Sequence, residues 1–346
     1  MRFRAFTYLS PFIIYVGAFN AFMVTGWQVW IPLFYAWIAV PLLELFIPPD
    51  SRNLSATEEE LARKDRTYDI ILYIVVVLQY AALIKFLFAM ANDSMSWFDI
   101  IGRVWVMGML CGVFGINAGH ELGHRNSSLE RTLAKCMLLT SQYMHFYIEH
   151  NKGHHKRVAT PVDPSSARYN EWVYAFYFRS IIHSYISAWQ IAVADTRKKN
   201  KPVLSFYNEM IRFTIVQLAF VATILVIFGW LVTIYYLVAA GIGITLLETV
   251  NYIEHYGLQR KQMGDGKYER AMPAHSWNSD HVIGRLMLFE LSRHSDHHFL
   301  ASRKYQVLRH HDESPQMPTG YPGMMILALV PPVWFKVMNK KIAELQ

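Results

Sequence analysis

Charged residues and cysteines are both scarce in this chain of 346 residues. Only 17% of the residues are charged, against 53% that are hydrophobic, and that balance is too apolar for an ordinary soluble protein. The two cysteines, Cys111 and Cys136, are too few for a disulfide framework or for a metal site built from thiolates. The composition therefore indicates a membrane protein in which any metal chemistry depends on other ligands.

Long apolar blocks contain most of the hydrophobic residues. A bilayer is crossed by about 20 residues of helix, and six blocks in this chain have that length. The first two blocks follow each other almost directly, as do the last two, so each pair predicts a helical hairpin. We therefore predict an all-α integral membrane protein, with one domain over residues 1–346 and six transmembrane helices. The predicted spans are residues 6–26, 27–47, 70–90, 98–118, 207–229 and 231–250.

The basic residues predict how these spans are oriented. With the N-terminus in the cytoplasm, only Lys85 and Arg103 of the 33 Lys and Arg residues lie near the outer side. Loops rich in Lys and Arg stay in the cytoplasm. Both termini and the histidine clusters described next are therefore predicted on the cytoplasmic side of a bacterial inner membrane. This topology, with contact to anionic lipid headgroups, also accounts for the net charge of +7 without a nucleic-acid partner.

Histidines are concentrated where hydrophobic segments end. Nine of the 15 histidines occur in four clusters, which read His-Glu-Leu-Gly-His, His-Asn-Lys-Gly-His-His, Glu-His-Tyr-Gly and His-Ser-Asp-His-His. Imidazole is the commonest protein ligand for iron, copper, zinc and nickel, so we predict that these residues bind metal. They are His120, His124, His150, His154, His155, His255, His294, His297 and His298.

The spacing within the clusters suits helix ends that meet at one place. Residues four apart lie on the same face of a helix, which applies to His120 and His124. It applies equally to His150 and His154, with His155 on the adjacent face, and the last cluster also fits one helical face. Converging helices form the metal sites of helical bundles. Because one tetrahedral zinc needs only three or four protein ligands, nine histidines indicate two metal ions.

Two other functions fit part of the pattern. The sequence His-Glu-x-x-His alone is typical of zinc proteases, with His120 and His124 as ligands and Glu121 as general base. That function would leave the other clustered histidines without a task. A metal transporter is the second alternative, although transport sites usually lie near the middle of the membrane on interrupted helices. The histidine clusters instead follow the helix ends.

The clusters and several further stretches resemble the motifs of the alkane 1-monooxygenase family, which are membrane-bound, histidine-rich diiron hydroxylases related to desaturases. The stretch Asn-Tyr-Ile-Glu-His-Tyr-Gly-Leu at 251–258 favours this branch, because the related desaturases lack it. Matching stretches also occur at 158–164 (Val-Ala-Thr-Pro-Val-Asp-Pro), 275–279 (His-Ser-Trp-Asn-Ser) and 318–323 (Pro-Thr-Gly-Tyr-Pro-Gly). The likeness runs from about residue 5 to 340, nearly the whole chain.

The resemblance implies an enzyme that uses two iron ions and O₂ to oxidise the terminal methyl group of medium- to long-chain alkanes to a primary alcohol. It also implies rubredoxin as the electron donor, reduced by rubredoxin reductase. Some members carry a fused rubredoxin domain with four cysteines; with two cysteines, this chain is expected to have no such domain. Hydroxylation of aromatic methyl groups, as in xylene, and lipid hydroxylation or desaturation remain alternatives.

Residues near the clusters are predicted to assist the metal site and the substrate path. In the second span, Ala36 and Trp37 are candidates for the wall of a substrate channel. As neighbours they point about 100° apart on a helix, so we expect at most one to face the channel centrally. Phe299 departs from the family pattern, which has Ala, and is expected to influence substrate size. The polar residues expected to orient imidazole N–H groups are Glu121, Glu149, Asp163, Asn251, Glu254, His275 and Asp296.

Overall fold

The computed structural model describes residues 2–92 and 94–345, and these residues form helices and loops without a β-strand. Met1, Asp93 and Gln346, which belong to the predicted domain 1–346, lie outside the described residues. The all-α prediction is confirmed for the part of the chain that the structure describes. The α-helices are Arg2–Thr7, Phe12–Ala21, Ile31–Phe34, Val40–Phe46, Ala56–Lys64, Thr67–Met90, Trp97–Leu110, Asn117–Gly123, Ser128–Leu139, Phe146–Glu149, His155–Arg157, Val173–Lys198, Glu209–His255, Val282–Met287, His294–Phe299, Tyr321–Ala328 and Pro331–Ala343.

The long apolar helices follow the predicted spans except at the N-terminus. Residues 6–26, predicted as one span, contain the end of helix Arg2–Thr7, a turn and helix Phe12–Ala21. The count of six spans therefore stays a prediction. The helical stretches that are long and apolar enough to cross a membrane are Gly26–Phe46, Thr67–Met90, Trp97–Gly123 and Glu209–His255.

Both predicted hairpins are present. The last long helix is broken at Gly229, whose φ of 82° and ψ of 173° are not helical. Phe220 and Tyr236 would lie about 24 Å apart along a straight helix, but their ring centroids are 5.9 Å apart, so the chain reverses at Gly229. Near the N-terminus, a Cβ added to Gly17 would lie 3.1 Å from Pro32 Cγ, which shows that the first two predicted spans pack side by side.

Close packing brings the first and third histidine clusters to the same end of the bundle. Gly108 and Gly112 lie against the final membrane helix, where added Cβ atoms would come within 2.6 Å of Ile242 and 3.0 Å of Leu246. Small residues let membrane helices approach closely. Both contacts have the same sequence offset (242 − 108 = 246 − 112 = 134), so the two helices run parallel. The segments that follow them, with the loops around residues 258–320, form a cap over this end.

Candidate metal centre

The nine clustered histidines form two adjacent groups in the cap. Within each group, one ring nitrogen from every residue lies within 4.8 Å of the others. The rings of His155 and His298, one from each group, have centroids 4.5 Å apart. The first group is His120, His124, His150, His155 and His297, and the second group is His154, His255, His294 and His298.

A π-helical turn divides the second cluster between the groups. The segment His150–His154 is π-helical, so residues five apart share a face. His150 Nε2 and His155 Nε2 are 3.0 Å apart in the first group. His154 points into the second group, where its Nε2 is 3.2 Å from His298 Nε2. The prediction that His150 and His154 share a helical face, with His155 on the adjacent face, is therefore wrong, because it assumed α-helical spacing.

The last cluster also contributes to both groups. On helix His294–Phe299 the positions i, i+3 and i+4 spread over about 100° of the circumference, which is wide enough to face two sites. His294 Nε2 and His298 Nε2 are 2.9 Å apart in the second group. His297 Nε2 instead lies 3.0 Å from His120 Nε2 in the first group. This short helix is shared by the two groups.

The nitrogen spacing fits metal coordination. Neighbouring Nε2 atoms in the first group are 3.0 to 3.1 Å apart. Two nitrogen ligands at roughly 2.1 Å from a metal and about 90° apart, as in coordination by five or six ligands, would be separated by about 3.0 Å. Hydrogen bonds alone satisfy this arrangement poorly, because an imidazole nitrogen that carries a proton cannot also accept one. The donor set is therefore suited to a cation at the centre of each group.

Burial keeps most of these imidazoles in the neutral form that binds metal. His154 is different: burial acts to lower the pKa of its ring, but the negative charge and hydrogen bond of Asp163 outweigh burial and raise that pKa. Outside the membrane helices, burial followed by the neighbouring rings lowers the pKa of His124, His150, His155, His294, His297 and His298.

Asp163 lies where a residue that orients a ligand is expected. Its Oδ2 is 2.9 Å from His154 Nδ1, the nitrogen that faces away from the second group, and Ser166 Oγ donates to the same oxygen at 2.6 Å. A carboxylate behind a ligand histidine fixes the tautomer and the orientation of the ring. This geometry agrees with the role predicted for Asp163.

Glu254 faces the site itself. Its Oε2 lies 3.2 Å from His294 Nε2, which is the nitrogen that points into the second group, and the residue is almost fully buried. Glu254 therefore contacts one histidine of the second group directly, and the group itself consists of four histidines.

Glu121 is held by neighbours outside the histidine groups. Its Oε1 lies 2.6 Å from Arg125 Nη2 in an ion pair and accepts a hydrogen bond from the backbone N–H of Tyr305 at 3.2 Å. The side chain thus ties helix Asn117–Gly123 to the loop before residue 305. A carboxylate committed to an ion pair is a poor general base, and this disfavours the zinc-protease alternative.

Two more of the predicted residues hold the cap loops. The buried Asp296 carboxylate accepts Arg303 Nη1 at 2.9 Å and lies 2.7 Å from His311 Nε2. His275 Nε2 lies 3.2 Å from Glu269 Oε1. Neither residue contributes to the two histidine groups, and their contacts fix the loops that enclose them.

Glu149 and Asn251 are buried beside the site. Burial raises the pKa of Glu149 to about 7, and its Oε1 accepts Arg157 Nη2 at 2.5 Å. Asn251 lines the cavity described next and donates from Nδ2 to Glu248 Oε2 at 3.3 Å. Glu248 was missed in the sequence, although it lies within the predicted span 231–250, where acidic residues are rare and usually functional.

An apolar cavity of about 60 Å³ adjoins the histidines. His120, His150 and Glu254 line its metal end, and both Ala36 and Trp37 line its wall. Both side chains therefore border the cavity. The expectation that at most one of them faces the channel centrally stays a prediction.

A larger groove of about 910 Å³ lies on the outside of the bundle. Its wall is almost entirely apolar, and residues such as Phe34 and Ile38 are exposed where a bilayer would surround the helices. Trp37, Leu246 and Met325 line both the groove and the inner cavity. These three side chains therefore form the boundary between the lipid-facing groove and the metal end.

Phe299 lies away from both spaces. Its ring is 5.6 Å from the ring of His311, and the guanidinium of Arg270 lies 5.0 Å from its centroid. Phe299 is not among the described residues that line the groove or the cavity. The expected influence of Phe299 on substrate size through the channel wall is therefore wrong.

Arg293 is a buried structural residue that the sequence did not single out. It is 1% exposed and donates to Asp280 Oδ1 at 3.2 Å and to the carbonyl oxygens of Leu308, Asp50 and Arg52 at 2.8 to 3.2 Å. It thereby joins three segments of the cap directly before His294. In the sequence, only its position directly before His294 could have indicated this role.

We expect Arg293→Met to lower the free energy of unfolding by about 3 to 5 kcal/mol, because it leaves buried acceptors unpaired. Thermal unfolding in detergent measures this change, and metal should be lost in parallel. Arg52→Met is the matched control: its side chain is 88% exposed in its ion pair with Asp50, and the expected change is below about 1 kcal/mol. Equal effects of the two substitutions would contradict the role of Arg293.

The fold and the site define a class: a helical protein with membrane-length helices and two adjacent groups of histidines suited to binding metal. Residues 95–327 match the family model described as fatty acid desaturase. An alkane 1-monooxygenase of Pseudomonas putida is 40% identical over 92% of this chain and 80% of its own length. Alkane 1-monooxygenase 2 of Alcanivorax borkumensis is 37% identical over 96% of this chain and 87% of its own length.

The chain belongs to the alkane 1-monooxygenase family. A more distant relative is the xylene/toluene monooxygenase hydroxylase component XylM of Pseudomonas putida. It is 24% identical over 96% of this chain and 87% of its own length. The resemblance stated from the sequence motifs is confirmed.

Proposed function

We propose that this protein hydroxylates the terminal carbon of alkanes, with O₂ as co-substrate, at two iron ions held by the nine histidines. The observation that carries this proposal is the pair of histidine groups at the closed end of an apolar cavity. Bound iron would supply the redox chemistry: one oxygen atom enters the C–H bond, and the other leaves as water after two electrons and two protons arrive. The protein positions the chain and excludes bulk water.

The substrate reaches the metal end from the membrane in this proposal. An alkane partitions into lipid, enters the outer groove and passes Trp37, Leu246 and Met325 to reach His120 and His150. Because the inner cavity is narrow, the end of a linear chain enters before its middle. This order of entry favours oxidation of the terminal methyl group.

We further propose one membrane-embedded domain with six spans in a bacterial inner membrane, and with the cap and both termini in the cytoplasm. The excess of Lys and Arg in the segments that form the cap supports this orientation. Electrons would then come from a cytoplasmic carrier, and rubredoxin with its reductase is the donor we propose. Exposed Lys261 and Arg270 lie on the cap loops, and Arg270 contacts Phe299, the neighbour of His298.

We expect the rate with limiting rubredoxin to fall about tenfold as salt rises from about 50 to 500 mM, since screening weakens the encounter of charged proteins. Stopped-flow oxidation of reduced rubredoxin measures this rate. Lys261→Glu with Arg270→Glu should reduce this rate at low salt. Lys199→Glu, an exposed control directly after helix Val173–Lys198, should not. A rate that does not depend on salt or on these charges would contradict this docking surface.

A further inference from the structure

Glu44 is a buried acid that the proposed chemistry does not use. It lies near the end of the membrane helix Gly26–Phe46 and is 2% exposed. Its Oε1 accepts the backbone N–H of Gly284 at 2.7 Å, and its Oε2 has no hydrogen-bond partner among the described residues. A carboxyl group buried with so little compensation costs free energy, so stability alone does not account for its position.

Two glycines make room for this carboxylate. A Cβ on Gly320 would overlap Glu44 Oε2, and a Cβ on Gly284 would lie 2.8 Å from Glu44 Oε1. Neither glycine has a positive φ, so the requirement for glycine comes from the contact with Glu44 and not from the backbone conformation. The carboxylate is therefore held between two cap segments by close packing.

These contacts join the three elements that enclose the inner cavity. The helix that carries Glu44 also carries Trp37, two turns earlier. Gly284 belongs to helix Val282–Met287, and Met287 lines the cavity. Gly320 directly precedes helix Tyr321–Ala328, which supplies Met325. Glu44 thus contacts both cap segments, at Gly284 and Gly320, and belongs to the membrane helix that forms the third side of the cavity.

We propose that Glu44 is a positioning residue that fixes the separation between Trp37 and the walls at Met287 and Met325, and so determines which carbon of the bound chain meets the metal end. This inference rests on the proposed function. Glu44 acts through the cavity walls; the histidines keep their own contacts, so metal binding does not depend on it.

The test measures the position of the hydroxyl group in the products from octane, together with iron content. Glu44→Leu removes the acceptor for Gly284, and Gly320→Ala pushes the carboxylate aside. In both variants we expect the share of 2-octanol to rise at least severalfold while iron stays at the wild-type level. Glu44→Gln keeps an acceptor for Gly284 and should restore most of the wild-type distribution. Gly264→Ala is the matched control, because nothing lies within 4 Å of its added Cβ.

A second readout does not depend on turnover. Without an electron donor, 1-bromooctane should quench the fluorescence of Trp37. The Trp37 signal is the difference in fluorescence between each protein and the same protein with Trp37→Phe. Gly320→Ala should weaken this quenching. An unchanged product distribution in both Glu44→Leu and Gly320→Ala, or loss of iron in parallel with activity, would overturn the positioning role. A wild-type protein that binds bromooctane but hydroxylates no alkane would instead overturn the proposed function.

Discussion

Replacing His124 or His298 by alanine should each reduce alkane hydroxylation by at least about a hundredfold, since even residues that only orient metal ligands cost 10- to 100-fold when mutated. The two residues belong to different groups. His124→Ala should therefore empty the five-histidine group and His298→Ala the other, each leaving about one iron per chain. Iron analysis of purified protein, together with product formation, measures both effects.

His183→Ala is the control for these variants. His183 is exposed on a cap helix, with Nδ1 2.7 Å from the carbonyl oxygen of Arg179, and it belongs to neither group. Two irons and full activity are expected. Loss of both irons in His124→Ala would show that the two groups form one shared site. Unaffected activity in His298→Ala would contradict the assignment of two metal ions.

Trp37→Ser should allow longer alkanes to be oxidised, and Ala36→Trp should exclude long chains while short ones still react. Trp37 lines both the groove and the inner cavity, so removing its ring opens the boundary between them. Ala36 is 5% exposed and lines the inner cavity, so an indole added there fills space next to the metal end. Removing or adding an aromatic ring changes a contact area of roughly 150 to 250 Å².

The measurement is the product profile across a series of linear alkanes, with xylene included. The longest accepted alkane should shift by several carbons in opposite directions for the two variants. Val77→Ser is a suitable control, because Val77 is 68% exposed on another membrane helix. An unchanged profile in both variants would remove this helix from the substrate path. A preference for xylene would favour the aromatic-methyl alternative.

The sequence predicted the helical fold and the convergence of the clusters, because both follow from local patterns. Apolar blocks identify membrane-length helices, and histidines at their ends need only parallel packing to meet. The division into five and four histidines did not follow, because the π-helical turn at residues 150–154 is not encoded in the local pattern and changes which side chains share a face.

The roles of buried polar residues also could not be predicted from the sequence. Arg293 and Glu44 are read in a sequence as ordinary charged residues near loops, and charged residues are mostly exposed. Their roles depend on contacts with residues hundreds of positions away: Arg293 with Asp50, and Glu44 with Gly284. Contacts of that sequence separation leave no local pattern. Phe299 shows the opposite error, since its place next to His298 in sequence suggested a channel position that its packing does not give it.

Isotope labelling tests most directly whether O₂ is activated at this centre to hydroxylate an alkane. Iron-loaded protein in lipid nanodiscs is supplied with octane, reduced rubredoxin and ¹⁸O₂, and the 1-octanol is analysed by mass spectrometry. We expect one ¹⁸O atom per molecule of 1-octanol and no oxygen from water. Alcohol that carries oxygen from water, or no alcohol from protein with two bound irons, would contradict this expectation.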